Sequence, residues 1–290
     1  MSFVDPWIRL RYGISDDTVL NAASIPPPAE PSSDPEHLGT LLRQLKAQAG
    51  SSGDEGLDYG AVAGSDAYSA YCDFVLRLRT LDPMALAFRE SRLAFWINLY
   101  NGLVLDAIVL WKVKRSAQEV PGFFWRAAYN IGGLRYSASD IENGILRGNA
   151  AHPALPGVPF GRADPRRAHC LPRLDPRVHF ALVCASRSCP PIAVYTPERI
   201  DVQLDQATRS FVRGGGVEVD PIPGRVRLSH IFQWYAVDFG AHWQAMGDKR
   251  ALLKFVAGFL DPTDSRLVLA RRRWKVAFMP YDWSLNGLPA

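Results

Sequence analysis

The chain has 290 residues, 48% of them hydrophobic and 21% charged, with a formal net charge of +4 at pH 7. That length buries a substantial core, in one large domain or two ordinary ones, and the composition is that of an ordinary folded protein. So small and scattered a positive surplus makes no electrostatic case for nucleic acid, and four cysteines in so long a chain argue against a disulfide-dense secreted scaffold.

The opening MSFVDPWIRLRYG lacks the uninterrupted apolar core of a secretory signal. The longest apolar stretch, residues 103–111, carries Asp106 and is far too short to span a bilayer. The expectation is a cytoplasmic protein with reduced cysteines and no membrane partner. Residues 1–64 read as an N-terminal appendage. Ile25-Pro26-Pro27-Pro28 and PSSDPE form a stiff connector, LGTLLRQLKAQA (38–49) a short amphipathic helix, and GSSGDEG a flexible link.

From residue 65 to 290 the pattern is that of one domain. DAYSAYCDFVLRLR places Tyr68, Tyr71 or Cys72, Val75 and Leu78 on one helical stripe, so Cys72 reads as a core residue. Asp82-Pro83 caps and opens a helix, or two end to end, running to about Lys112 with a high aromatic content. After Pro121-Gly122, FFWRAAYNI, Gly132-Gly133 and LRYS predict a β-hairpin. SASDIENGILRG predicts a short helix, and 148–176 a long loop. VHFALVCA (178–185) has the look of a short buried strand. Thr196-Pro197 opens a helix that GGG (214–216) closes, and VEVD, PIPG and RVRLS form a second hairpin. Ser229 caps HIFQWYAVDFG, RALLKFVAGFL follows as a helix, and WKVAFMPYDWSLNG is a strand entering a polar tail. The class is α+β: mostly helical, with short, largely antiparallel strands around a central buried aromatic helix. With no Gly-rich phosphate loop and no zinc-clip spacing, neither a cofactor nor a metal is expected.

The polar residues set inside this apolar pattern are the candidates for chemistry. Asn98 and Asn101 emerge on one helix face, where buried amides brace loop carbonyls or else orient a catalytic group. Ser139 and Glu142 have capping-box spacing, which accounts for Glu142 unless it reaches a histidine. On a regular strand His179 and Cys184 point to opposite faces. Cys189 lies beyond, in a loop with Ser186, Ser188 and Arg187, where a lowered thiol pKa is plausible. Structural cysteines, a reactive thiol, a Cys184–Cys189 disulfide switch and a metal clip all stay open at this point.

Five motifs in order, AFWINLYN, SDIENGILR, DPRVHFALVCASRSCPPI, LSHIFQWYAVDFG and YDWSLN, resemble the domain of unknown function 547 family from about residue 65 to the end. The resemblance implies a compact domain with family-typical residues at Asn98, Asn101, Glu142, His179, Cys184, Ser186, Cys189, Tyr281 and Asp282. It also marks one departure: Asn143 stands where the family often has a histidine. The leading functional expectation is a cysteine-dependent hydrolase or acyltransferase. Cys189 (or Cys184) would be its nucleophile, His179 its base, Asn98, Asn101, Glu142 and Ser186 its orienting groups, and Tyr281 and Asp282 would contact substrate. The alternatives are a non-catalytic module for a protein partner, built on a buried polar network, and a thiol redox sensor.

Overall fold

The computed structural model describes residues 4–22, 35–50, 56–241, 249–271 and 273–288. The Pro-rich connector and most of the GSSGDEG link expected above lie outside these residues. The chain divides into two compact units. The first comprises Met1–Leu174, Leu182–Ile200 and Trp283–Ala290, and the second Asp175–Ala181 and Asp201–Asp282. The α+β class holds, with the helices dominant and the strands short.

In the first unit the long helix α5 (Arg89–Leu110) is central, and every residue from Leu93 to Val109 is buried. It is long and apolar enough to cross a membrane, yet 94% of its most apolar window is covered by the protein itself. Asp82 does cap, its carboxylate accepting from Met84 N–H at 2.9 Å, but what it opens is a 3₁₀ turn, Pro83–Ala85. The long helix starts at Arg89. Three further helices pack around it: α2 (Pro35–Gln48), α3 (Tyr59–Ala63) and α4 (Asp66–Arg77). The amphipathic stripe of α2 does the work of a core element, since Leu38, Leu42 and Leu45 are fully buried. The stretch expected as an appendage therefore joins this unit's core, because its leucines meet α4 and α5. A shorter helix, α1 (Val4–Tyr12), precedes it, and the two-residue strand β1 (Leu57–Asp58) follows it, paired in parallel with Gly287–Leu288.

Downstream of α5 and the single-turn helix α6 (Phe123–Arg126), the expected hairpin forms from β2 (Ala128–Ile131) and β3 (Leu134–Ser137). Gly132 and Gly133 join them at φ +57° and +81°, the paired positive values that a tight hairpin turn demands. β3 runs straight into a helical segment whose core is the π-turn Asp140–Leu146. The capping box there is Ser137 with Asp140, not Ser139 with Glu142. Ser137 N–H and Oγ–H donate to the Asp140 carboxylate at 2.9 and 2.8 Å, and Asp140 N–H donates to Ser137 Oγ at 3.0 Å. The strand's last residue is the cap, so the box falls two residues earlier than the spacing of Ser139 and Glu142 suggested. Within the turn, a Cβ at Gly144 would run into the buried Phe160 ring. Gly144→Ala is expected to cost about 1–3 kcal/mol of stability, measurable as a lowered urea midpoint at constant m-value; an unchanged midpoint would show that Phe160 yields freely.

The second unit begins with a further correction. VHFALVCA is no strand: Asp175 caps a 3₁₀ turn, Pro176–Phe180, by accepting from Arg177 N–H at 3.1 Å. Arg177 in turn is clamped by Asp175, Asp201 and Asp205. The helix after Thr196-Pro197 is α7 (Ile200–Phe211), and the glycines after it include Gly215 at φ +110°. β4 (Val217–Asp220) and β5 (Arg225–Leu228) form the second expected hairpin, and β6 (Lys275–Phe278) joins β5 in parallel. Against this sheet's apolar side belong α8 (Ile231–Trp234), α9 (Arg250–Ala257) and α10 (Pro262–Ala270), whose Phe232, Leu252, Val256 and Val268 share a core with Val226 and Leu228.

Candidate functional site

The segment from Leu182 to Thr196 has no ladder or helix to satisfy its buried main chain, so partners must come from elsewhere. The two asparagines of α5 supply them. Asn98 Nδ2 donates to the Tyr195 carbonyl at 2.8 Å, while its Oδ1 accepts Tyr195 N–H at 3.0 Å. Asn101 Oδ1 accepts Val183 N–H at 3.0 Å. Both asparagines are wholly buried. One helix thus pins both ends of the stretch that carries the cysteines.

Between the pins the chain reverses. Ala185 takes φ +59°, a left-handed value uncommon for a residue with a side chain. The C-terminal stretch holds it there: Asn286 N–H donates to the Ala185 carbonyl at 3.0 Å, and Arg187 N–H donates to the Ser284 carbonyl at 2.9 Å. Cys189 N–H then closes a turn onto the Ser186 carbonyl at 3.0 Å. The consequence is that Cys189 folds back onto Cys184, with the two Sγ atoms 2.7 Å apart. That is longer than a disulfide bond, about 2.05 Å, and inside ordinary sulfur–sulfur contact. Cys184 N–H also donates to Cys189 Sγ at 2.8 Å, and Ser186 Oγ lies 3.1 Å from Cys184 Sγ.

The two sulfurs are not equivalent. A cleft of about 700 Å³ has Cys189 in its wall, with Ser186, Arg187, Ile192, Arg43 and Lys46 among its other lining residues; Cys184 is not part of that lining. Tyr59 is buried close by and donates to Asn286 Oδ1 at 2.7 Å. Burial, and then the neighbouring sulfurs, push its phenol well above its ordinary pKa, so it stays a donor. The other cysteines are quieter. Burial, with Asp106 nearby, raises Cys72 to about 11, and burial also raises Cys170.

The remaining candidates have partners of their own. Glu142 is half-buried and receives the Tyr100 hydroxyl at 3.5 Å. Asn143 is absorbed into its own turn, with Nδ2 on the Ser139 carbonyl at 3.1 Å and Oδ1 accepting from Arg147 at 2.7 Å. His152 feels the Glu142 charge, but burial dominates and lowers its pKa. His179 belongs to the second unit. Its Nε2 lies 2.8 Å from Asp238 Oδ2, and its ring stacks on Tyr235 with centroids 3.8 Å apart. Tyr281 packs on Trp234 at 4.8 Å, and Asp282 beside it is exposed. Among the described residues no group of three His, Cys, Asp or Glu side chains is arranged to hold a metal ion.

Sequence reasoning named both cysteines but missed Arg43 and Lys46, which lie on a helix it had set apart from the domain. The arginine–lysine spacing of three on α2 was the available signal.

Residues 84–212 match the family model described as "Protein of unknown function, DUF547". The matched segment is narrower than the stretch over which the motifs were read. It contains α5, the β2–β3 hairpin, the Asp140–Leu146 turn and the whole thiol loop. No curated protein and no solved structure matches the chain.

Proposed function

We propose that the chain works through a redox-active dithiol, in which Cys189 exchanges with a disulfide in the cleft and Cys184 resolves the mixed disulfide. The observation that carries this reading is the 2.7 Å approach of the two Sγ atoms, with only Cys189 reaching the cleft wall. Exchange needs an accessible attacking thiolate and a second thiol poised behind it. The N–H of Cys184 aimed at Cys189 Sγ favours the thiolate there. In a reducing compartment such as the cytoplasm the resting form is the dithiol.

A second reading is a cysteine-dependent hydrolase or acyltransferase, which keeps Cys189 as nucleophile and needs a base beside it to take the thiol proton. The described lining of the cleft contains neither imidazole nor carboxylate to serve as that base. The dithiol is therefore the better-supported use of the thiols.

The test is equilibration of the native protein in dithiothreitol redox buffers, followed by alkylation and peptide mass spectrometry. The expected result is a Cys184–Cys189 link, two hydrogens lighter than the dithiol, while Cys72 and Cys170 remain free thiols. Cys184→Ser, treated with bis(2-hydroxyethyl) disulfide, whose thiol half cannot cyclise, should instead accumulate a mixed disulfide at Cys189. A pair that stays reduced in the most oxidising buffer would overturn the reading and return the thiols to a structural role, as in a non-catalytic interaction module.

A further inference from the structure

Among its described lining residues, the cleft that exposes Cys189 carries charge of one sign. Arg43, Lys46 and Arg187 line it, and no aspartate or glutamate is among its described lining residues. All three cations are exposed, and among the described residues none of them has a carboxylate partner. Arg43 donates to Thr40 Oγ1 at 3.0 Å, a neutral acceptor.

Part of this has a local explanation. Lys46 sits in the last turn of α2, where a cation complements the negative end of the helix dipole. That argument does not reach Arg43, one turn earlier, nor Arg187, which comes from the thiol loop itself. Two unrelated segments deliver cations to one concavity beside one sulfur, and walls of low dielectric focus such a field. An uncharged disulfide, or a hydrophobic one, would gain nothing from it.

We infer that the disulfide exchanged at Cys189 is a small anionic one, carrying a carboxylate on each half. The inference rests on the dithiol reading above and names its substrate class. In the exchange the Cys189 thiolate attacks one sulfur of the disulfide. A bond forms between Cys189 Sγ and that half, and the other half leaves as a thiolate that takes up a proton. Cys184, giving up its proton, then attacks Cys189 Sγ and expels the second half as a thiol. The protein dithiol is oxidised by two electrons to the Cys184–Cys189 disulfide, and the small disulfide is reduced to two thiols. The cations act by raising the local concentration of the anionic reactant and by holding its carboxylates in the encounter.

The experiment uses the full chain, reduced, and three disulfides of similar length: dianionic 3,3′-dithiodipropionate, neutral bis(2-hydroxyethyl) disulfide and dicationic cystamine. The initial rate of Cys184–Cys189 bond formation is read by quenched alkylation and mass spectrometry. Each rate is divided by that of a small uncharged thiol, which removes the intrinsic reactivity of the leaving groups. The expected result is that the dianion is favoured over the dication by about tenfold or more at low salt. That preference should collapse in 0.5 M salt, where the screening length falls to about 4 Å. The double variant Lys46→Glu/Arg187→Glu, both changes on exposed side chains, should reverse the order. An unchanged thermal midpoint would show that the variant is folded.

Equal normalised rates for all three disulfides, or a preference indifferent to salt, would overturn the anionic assignment while leaving the dithiol reading intact. No protein disulfide with any of the three would overturn both.

Discussion

Replacing Asn98 by alanine is expected to lower the unfolding free energy by about 2–4 kcal/mol and, with it, to slow formation of the Cys184–Cys189 bond. The size follows from what the amide holds. Its oxygen and its nitrogen satisfy the N–H and the carbonyl of a single residue, Tyr195, at 3.0 and 2.8 Å. Asn98 is fully buried, so no water can stand in for it. Truncation leaves two main-chain groups without partners, each costing about 1–3 kcal/mol. Among the described residues the buried Tyr195 hydroxyl has no hydrogen-bond partner either. Asn98→Asp keeps the acceptor but loses the donor and buries a charge, so it should be no milder. The check is urea unfolding monitored by tryptophan fluorescence, beside the alkylation assay on the reduced protein. A loss below 1 kcal/mol with unchanged bond formation would mean that the loop holds its shape without the helix.

The same asparagines show where sequence was readable and where it was not. Local chemistry was legible: Gly132-Gly133 as a hairpin turn, Asp82 as a cap, the second hairpin around PIPG, and the buried aromatic helix. What failed were readings that needed a partner distant in the chain. VHFALVCA has the composition of a buried strand, yet the group that satisfies Val183 N–H is the side chain of Asn101, 82 residues away. No period in the local sequence encodes that. The pairing of Cys184 with Cys189 likewise stayed one alternative among several, because the reversal at Ala185 depends on Ser284 and Asn286 from the far end of the chain. The α2 stripe was visible as amphipathic, but the stretch ahead of it, rich in proline, suggested an element set apart. Its leucines decide otherwise, since a stripe of buried leucine is stable only against another apolar face. Asp106 was read as a flaw in an apolar run, and it is instead the polar centre of the first unit.

That centre gives the second large effect. Asp106 is 2% exposed, and its two carboxylate oxygens accept the hydroxyls of Tyr68 at 2.6 Å and Tyr129 at 2.7 Å. The Tyr71 hydroxyl lies 3.2 Å from that of Tyr129, so α4, α5 and β2 meet in one polar knot. Gly102, one turn before Asp106, leaves the space that the Tyr71 hydroxyl occupies. Asp106→Leu strips two buried hydroxyls of their acceptor and should cost about 2–5 kcal/mol. Asp106→Asn keeps one carbonyl oxygen as an acceptor and should cost less.

The pH dependence separates charge from shape. Burial raises the Asp106 pKa, and the two tyrosine hydroxyls offset this only in part. The folded state therefore holds the proton more tightly than the unfolded chain, whose value is about 3.9. The contribution from that proton is fully present below the unfolded value and is lost as pH rises through the folded one. Relative to Asp106→Asn, the unsubstituted protein should thus be most stable in acid and should lose ground across that window, levelling off above it. Urea unfolding of both proteins from pH 4 to pH 8 measures the difference directly. A difference that grows in favour of aspartate as pH rises would mean that the tyrosine hydroxyls outweigh burial and that the carboxylate is ionised by design. A difference that shrinks means the knot is held by hydrogen bonds in spite of its charge, and that α5 carries Asp106 to join α4 and β2 rather than to do chemistry.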